Sequence, residues 1–525
     1  MIRDAQLRAV AGRAAWDLIV VGGGATGLGI AVQAAAQGYH VLLLEAGDWA
    51  SGTSSRSTKL LHGGVRYLAQ GHLGLVRDAL HERQAVIRNA PSLAHPLHFV
   101  LPTYSVWDQW RYRLGLWAYE RLAGLDSMGP SGWWGAMAGL AHSPELQPKG
   151  LRGLVTYWDG QFDDAGLALA LMRTAHRLGA VTLNYAQVQS VLTSPTGRPP
   201  LQHDRVHMVE TSSTPERVCG VRWRNVLTGD VHEAQASCVI NATGGWVDGL
   251  RDPGLPRSVT WSRGAHAVVR REWWPHDHGM IIPRTRDGRV LFVLPWQGHV
   301  LLGTTDTPCD GMTAQPQASE QELDFILDEV GRYLQRAPTR ADVTSVWAGV
   351  RSLVQADASS DTPTRSIGRE HAIWQDANGL MNVAGGKWTT YRLMAEQVVG
   401  LCRQHGLLHA HTPEVSSLRL SLDCATPDDW STLPGAGHEL LPGVSEAFVR
   451  WCVRETAACS VEDVLARRTR WLLLDARRAG AVATEVERVM QDEGVIDPRL
   501  HDFMHRVRYC LPDNLTNHNQ ETQHA

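Results

Sequence analysis

No uncharged apolar run of 18 residues occurs in the 525-residue sequence, and the first 16 residues, MIRDAQLRAVAGRAAW, carry charges where a signal peptide has its apolar core. The expected chain therefore neither spans a membrane nor is exported by that route. Cysteine is scarce and unpatterned. Cys219, Cys238, Cys309, Cys402, Cys424, Cys452, Cys459 and Cys510 form no C-x-x-C pair, which argues against a disulfide or zinc framework and for reduced thiols in a reducing compartment. No metal site is expected. Neither sign of charge is in excess, with 50 basic residues against 54 acidic ones, so nucleic acid is not an expected partner. The cluster RRTR at 467–470 is diluted by Glu462, Asp463 and Asp475. Internal repeats and low-complexity tracts are also missing, and 43% hydrophobic with 20% charged residues describes a globular chain of two or three domains.

What is present begins at residue 17. In DLIVVGGGATGLGIAVQAAAQGYHVLLLEAGD, Leu18 to Val21 is a short apolar run of the kind buried on both faces of a parallel sheet, and residues 25–37 are Ala-rich and helix-permissive. Between them Gly22, Gly24 and Gly27 match G-x-G-x-x-G. The first glycine allows the tight turn, the second lets backbone amides approach a pyrophosphate, and the third lets helix and strand pack closely. The helix N-terminus offers unpaired N–H groups and a partial positive charge to that anion. A second apolar strand, Val41 to Leu44, ends in Glu45, placed to accept from ribose hydroxyls and to repel a 2′-phosphate. The stretch predicts a dinucleotide-binding unit.

Two further glycine turns narrow the dinucleotide. CVINATGG (238–245) again sets an apolar strand against a turn, and its Ala242, Thr243 and Gly244 form an A-T-G segment of the kind that accompanies the first motif in FAD-binding flavoproteins. VAGGKWTTY (383–391) leads through Gly385 and Gly386 into a helix. The N-terminus of that helix, with Lys387 in its first turn, would stabilise negative charge at the pyrimidine edge of a reduced flavin. Flavoproteins reduced by NAD(P)H usually carry a second G-x-G-x-x-G in mid-chain, and none appears between residues 100 and 380. The expected cofactor is FAD, reduced directly by the substrate.

The segments TSSRSTKLLHGGVRYL (53–68), RGAH (263–266), LFVLPW (291–296), GTTDTP (303–308), AGVRSL (348–353) and AGGKWTTYR (384–392) closely resemble, in the same order, the FAD-dependent glycerol-3-phosphate dehydrogenases. The likeness runs from residue 17 to about 400, with a fainter helical match to about 511. It implies a mixed α/β fold: a Rossmann-like FAD-binding domain of the glutathione-reductase and D-amino-acid-oxidase type, a β-rich substrate cap and an α-helical C-terminal domain. It also implies oxidation of sn-glycerol 3-phosphate to dihydroxyacetone phosphate, with hydride passing from C2 to FAD and electrons onward to a membrane quinone. The alternatives are an oxidase that delivers them to O2, and a flavin-bearing scaffold or tRNA-modifying partner without this activity. By resemblance, Arg66, Tyr67, Arg351, Arg369 and Lys387 line the substrate pocket, where the planar fork of arginine suits phosphate oxygens. His266 is the expected base for the C2 hydroxyl because imidazole titrates near neutrality, and Arg351 would stabilise alkoxide character. Thr53, Ser54, Lys59, His62, Gly63 and Thr389 are expected at the cofactor, with His62 against the flavin ring. Ser352 stands where many family members carry proline.

Tryptophan (20) outnumbers tyrosine (10) and phenylalanine (6). In WDQWRYRLGLWAYERL (107–122), Trp107, Trp110, Leu114 and Trp117 recur at helical spacing, with Arg111, Arg113 and Arg121 off that stripe. Such a face suits the headgroup zone of a bilayer, and equally a stripe buried in the cap. A quinone acceptor favours the bilayer, which implies a cytoplasmic protein held peripherally at the inner face of the cell membrane; a homodimer is compatible with this. Motif order divides the chain into FAD-binding segments at 17–85, 150–245 and 355–400, cap segments at 86–149 and 246–354, and a helical domain at 405–511. Ser460 and Asp463 read as an N-cap box in the helical domain, residues 192–217 as a polar surface hairpin, and the tail 512–525 as disordered.

Overall fold

The computed structural model describes residues 2–64, 73–195, 216–354, 371–409, 416–427 and 429–515. Arg66, Tyr67 and Arg369 fall outside these segments.

Trp16–Val21 is the inner strand of an eight-stranded sheet, with Val231–Asn241 on one side and Val41–Leu44 on the other, both parallel to it. Val181–Leu183 extends one wing and Met381–Gly385 the other, again in parallel, with His371–Gln375 as an antiparallel edge. The inner strand is covered on both faces, as its unbroken apolar sequence requires: Leu18, Ile19 and Val20 are fully buried. Helix Ala25–Ala36 packs there with Asp164–Arg177 and Tyr391–Gln404 through Leu28, Ala31, Leu171, Met394 and Val398. Register fixes the consequence. Val21 lies opposite both Leu44 and Asn241, and Asn241 opposite Asn382, so the turns after residues 21, 44, 241 and 385 all leave the sheet at one carboxyl edge. In open α/β sheets that edge is where ligands bind. Strands Ala186–Ser194 and Arg217–Asn225 pair antiparallel and carry the polar insert, whose residues 196–215 lie outside the described segments.

A ten-stranded sheet forms the cap, with Val259–Arg270 pairing on three neighbours: His299–Gly303, Thr307–Cys309 and Val343–Val354. Alternation along that strand sends Ala265, Ala267 and Val269 under helix Glu320–Gly331, against Leu323, Ile326 and Val330, while His266 and Val268 turn to the opposite face. Two expected boundaries are corrected here. Gly153–Phe162 pairs along its whole length with Ala94–Thr103, and Leu60–Leu61 pairs with it on the other side, so both strands belong to the cap and not to the cofactor sheet. The stripe on helix Val106–Ala123 is not buried in the cap: Trp107, Trp110, Leu114 and Trp117 are 77%, 59%, 66% and 50% exposed, and the helix packs instead through Leu116, Tyr119 and Ala123. No helix among the described residues is long and apolar enough to cross a membrane.

The C-terminal helices Glu446–Glu455, Ala483–Asp492 and Leu500–Tyr509 enclose a core of Val449, Cys452, Val489, Met490, Phe503 and Val507. Ser460 and Asp463 do cap each other, with Asp463 N–H donating to Ser460 Oγ at 3.2 Å and Ser460 N–H to Asp463 Oδ2 at 3.0 Å. The RRTR cluster that follows turns inward. Arg467 and Arg468 both grip the buried carboxylate of Asp48, Arg467 also meets Glu462 and Asp463 at 2.6 Å, and Arg470 meets buried Asp164 at 2.7 Å. Burial works against ionisation of Asp48, yet the two guanidinium groups hold its carboxyl below the usual range. The expected disorder of 512–525 is corrected at its start, where Pro512–Asn514 forms a 3-10 turn and Leu515 is buried in the cap core.

Removing one partner of a buried pair leaves the other charge uncompensated, at about 3–5 kcal/mol. Asp48→Ala, which leaves buried Arg468 without a carboxylate partner among the described residues, is therefore expected to lower unfolding free energy by that order, read from urea denaturation. In the cap, His276 and His278 stack at 4.8 Å near His98 and His142, and burial followed by those neighbours pushes the His278 pKa down to about 3. The unfolded chain binds this proton near 6.5 and the folded one does not, so stability falls as pH drops below 6.5. Acidification from pH 6.5 to 5 is expected to cost on the order of 1 kcal/mol at this half-buried ring, and His278→Gln to abolish that share.

Candidate functional site

At the shared carboxyl edge the first turn is sterically closed to other residues. Gly22 has φ of +108°, with its absent Cβ position 2.6 Å from the Ala242 carbonyl oxygen, and a Cβ on Gly27 would sit 1.9 Å from that of Gly22. Helix Ala25–Ala36 starts at Gly24, which has no side chain to cap it, and of the first amides Ala25 N–H donates to Ser54 Oγ at 3.0 Å. A glycine-floored helix start whose N-cap has no side chain fits a pyrophosphate. Glu45 accepts from Gly23 N–H at 2.6 Å and from Gly47 N–H at 2.7 Å. Burial pushes its carboxyl above the usual range and these two donors pull it back. With about four acceptor positions on a carboxylate, it retains capacity for ribose hydroxyls.

The other turns are tied to the first. Thr243 Oγ1 donates to Asn241 Oδ1 at 2.7 Å, and Asn241 Nδ2 to Asn382 Oδ1 at 2.9 Å, which locks the strands preceding Ala242–Gly244 and Gly385–Gly386. Lys387 caps the short turn Trp388–Thr390. Trp388 Nε1 donates to the Ser54 carbonyl at 2.8 Å, and His62 N–H to Thr389 Oγ1 at 3.3 Å. Gly63 N–H donates to the Tyr119 hydroxyl at 2.7 Å, which in turn donates to Asp159. Thr53 Oγ1 donates to the Val350 carbonyl of the cap. Ser54 and His62 from one end of the chain thus meet Trp388 and Thr389 from the other, beside the glycine turns that fit FAD. The Lys59 side chain is wholly buried, with Nζ 2.7 Å from Asp164 and 2.9 Å from the Ser55 carbonyl, near the rings of Trp296 and Trp347, so its charge is engaged by Asp164. Burial pushes its pKa down to about 7 against the pull of Asp164.

On the cap side, two strand glycines make room for the two expected catalytic groups. A Cβ on Gly264 would lie 2.4 Å from Arg351 Nη2, and one on Gly303 would lie 2.4 Å from His266 Cδ2, so guanidinium and imidazole lie flat on bare backbone. Arg351 donates to Thr304 Oγ1 at 3.1 Å and to the Thr305 carbonyl at 3.2 Å. That loop is itself held by Glu322, which accepts from Thr305 and Thr307 hydroxyls at 2.9 and 2.8 Å and pairs with Arg263 at 3.0 Å. His266 is buried, stacked 4.2 Å from Trp347, with Nε2 3.1 Å from Thr58 Oγ1 and Nδ1 without a hydrogen-bond partner among the described residues. Burial, then the charges of Arg351 and Lys59, hold its pKa well below the usual range, so the ring is neutral. Gly264, Gly303, Thr58 and Glu322 were not evident as site residues in the sequence; a glycine inside a strand pattern, as in RGAH and LLGTT, is the signal that points to such close approach.

A Rossmann sheet with converging glycine turns, joined to a β-rich cap that holds a buried neutral imidazole and a guanidinium, defines an FAD-dependent oxidoreductase. A family model described as FAD dependent oxidoreductase matches residues 17–401, and one described as the C-terminal domain of alpha-glycerophosphate oxidase matches 389–499. The chain is 36% identical to the mitochondrial glycerol-3-phosphate dehydrogenase of Mesocricetus auratus over 94% of its length and 72% of that protein, and 41% identical to that of Bos taurus over 76% of its length and 54% of that protein. It thus spans about half the length of the Bos taurus relative. A solved glycerol-3-phosphate dehydrogenase from Bacillus halodurans, complexed with FAD, superposes with a TM-score of 0.73 at 26% identity, covering 98% of this chain and 100% of that one. The chain belongs to the FAD-dependent glycerol-3-phosphate dehydrogenase family. An L-alpha-glycerophosphate oxidase from Mycoplasma pneumoniae with FAD bound shares the fold at TM-score 0.56 and 14% identity, covering 74% of this chain and 95% of that one.

Gly27→Ala is expected to yield protein without bound flavin, read as loss of the visible flavin absorbance from an otherwise folded preparation.

Proposed function

We propose that this protein oxidises sn-glycerol 3-phosphate to dihydroxyacetone phosphate and passes the electrons to a quinone in the membrane against which it lies. The observation that carries the reading is the pair of strand glycines over which Arg351 and His266 lie flat, on cap strands tied to the cofactor segment where Thr53 donates to the Val350 carbonyl. The FAD, when bound, accepts the hydride from C2 and carries the electron pair. The chain's own residues handle charge and the proton. Arg351, steadied by Thr304 and Thr305, offers its fork to a phosphate or alkoxide oxygen. Lys387 adds a second positive charge to that lining; Arg66, Tyr67 and Arg369, expected there by resemblance, lie outside the described residues. His266 takes the proton of the C2 hydroxyl; burial first, then Arg351 and Lys59, depress its basicity, and the substrate dianion offsets those two charges. The relatives' names support the substrate.

Quinone is favoured over O2 by the exposed stripe of Trp107, Trp110, Leu114 and Trp117, with Arg113 over Trp110 at 5.0 Å and Arg121 over Trp117 at 5.5 Å. Indoles paired with arginines suit the headgroup zone, and an acceptor dissolved in the bilayer requires its reductant at the surface. The inner face of the cell membrane is the proposed location.

Anaerobic addition of glycerol 3-phosphate is expected to bleach the flavin, with colour restored by a quinone analogue. A flavin that does not bleach rejects the substrate, and peroxide formed in proportion to substrate in air makes the protein an oxidase. His266→Asn is expected to lower kcat by about 10²–10⁴-fold with flavin absorbance retained. The acid limb of wild-type kcat/KM is expected to lie below pH 6.5, as the lowered His266 pKa requires. Replacing Trp107 and Trp110 by serine is expected to abolish co-sedimentation with lipid vesicles while leaving turnover with a soluble dye unchanged.

A further inference from the structure

We propose a second oxyanion site, separate from the substrate pocket, where the C-terminal domain meets the segment Thr53–Arg56; it takes one dianion of the size of inorganic phosphate. A cavity of about 40 Å³ lies there, lined by Arg56, Arg467, Arg506, Glu462, Trp347 and Tyr509 among others. On the scale of about 10–15 Å³ per water, it holds a few waters or one small oxyanion. Neither Arg351 nor His266 lines it. Arg56 and Tyr509 keep part of their surface open, so the cavity is reachable from solvent.

The charges lining it do not balance. Glu462 is the carboxylate among the lining residues, and it is shared: Arg467 Nη1 approaches at 2.6 Å and Arg506 spans it at 3.0 and 3.1 Å. Arg467 is further engaged by Asp48 and Asp463. Arg56 reaches the Ala314 carbonyl at 3.2 Å, and among the described residues no carboxylate comes within ion-pair distance of it. Burial first, then repulsion from Arg506 and Arg467, push its pKa down to about 9 although Glu462 pulls the other way. A half-buried guanidinium beside two others gains from a counter-ion, and an oxyanion offers the bidentate partner that the planar fork prefers. The site reaches the cofactor through two residues. Ser54 holds the first amide of helix Ala25–Ala36, and the Ser55 carbonyl accepts from both Lys59 and Arg470. An anion on Arg56 therefore steadies the strip of chain that floors the pyrophosphate turn.

The test uses inorganic phosphate alone, so it does not rest on the proposed substrate. The holoenzyme is heated and flavin release followed by fluorescence, with phosphate raised from zero at constant ionic strength. The release temperature is expected to rise saturably with phosphate in the wild type and equally in Arg351→Gln, whose substrate pocket is disabled. In Arg56→Gln the rise is expected to vanish whatever its starting temperature. Calorimetric titration of phosphate into the Arg351→Gln holoenzyme is expected to show one site, weakened at least tenfold when Arg56→Gln is added. A rise that survives Arg56→Gln, or one lost in Arg351→Gln, would overturn the proposal, as would absence of binding heat in Arg351→Gln.

Discussion

The approach of Gly22 to Ala242, close enough that no side chain fits between them, is the constraint from which the molecule is built. It forces Trp16–Val21 and Val231–Asn241 to end together although some two hundred residues separate them. Parallel neighbours cannot be joined by hairpins and need crossovers. Here the crossovers do more than return the chain: Gly153–Phe162 and Ala94–Thr103 lie within the connection between Leu44 and Val181, and Val259–Arg270 and Val343–Val354 lie within the one between Asn241 and Met381. The cap is thus assembled out of the cofactor sheet's own connections. Its inner face meets the flavin turns because both ends of each excursion are anchored at that sheet.

On the cap, positioning descends from a carboxylate that touches neither expected ligand. Glu322 is fixed by Ser319 at the start of its helix, and it in turn fixes Arg263 and the hydroxyls of Thr305 and Thr307. The backbone and hydroxyl of that loop then orient Arg351. A planar cation held in this way loses little freedom on meeting an oxyanion, which is how a shallow cluster of polar groups becomes selective.

Much of this was legible in one dimension. The run from Leu18 to Glu45 carries strand, turn, helix and acid in local order, and local order is what spacing reveals. The A-T-G turn, the turn at Gly385 and Gly386, and the reciprocal cap of Ser460 and Asp463 are equally local. The rest depends on distant partners. Arg467 and Arg468 meet Asp48 across more than four hundred residues, and Lys59 meets Asp164 across 105, so a sequence shows their charge and not its neutralisation. Periodicity told which side of helix 106–123 is apolar but not which way it faces, because Leu116 and Tyr119 supply a second face on which the helix packs. Motif order places residues 150–245 with the cofactor segments, but strand Gly153–Phe162 joins the cap because its neighbours are set by pairing with Ala94–Thr103, which no composition signal records.

The arginine clamp at 467–470 also imposes an order of events on synthesis. A nascent chain that has already emerged through Gln404 holds every strand of the cofactor sheet, and Lys59 is there for Asp164, yet Asp48 still awaits the two cations that make its burial tolerable and Asp164 its second, Arg470. Asp48 lies three residues after Glu45, Asp164 in the helix behind the sheet. Closure of that region thus waits for residues 467–470, well after the last strand of the sheet, and a ribosome that stalls before them releases a polypeptide unable to tighten around its nucleotide.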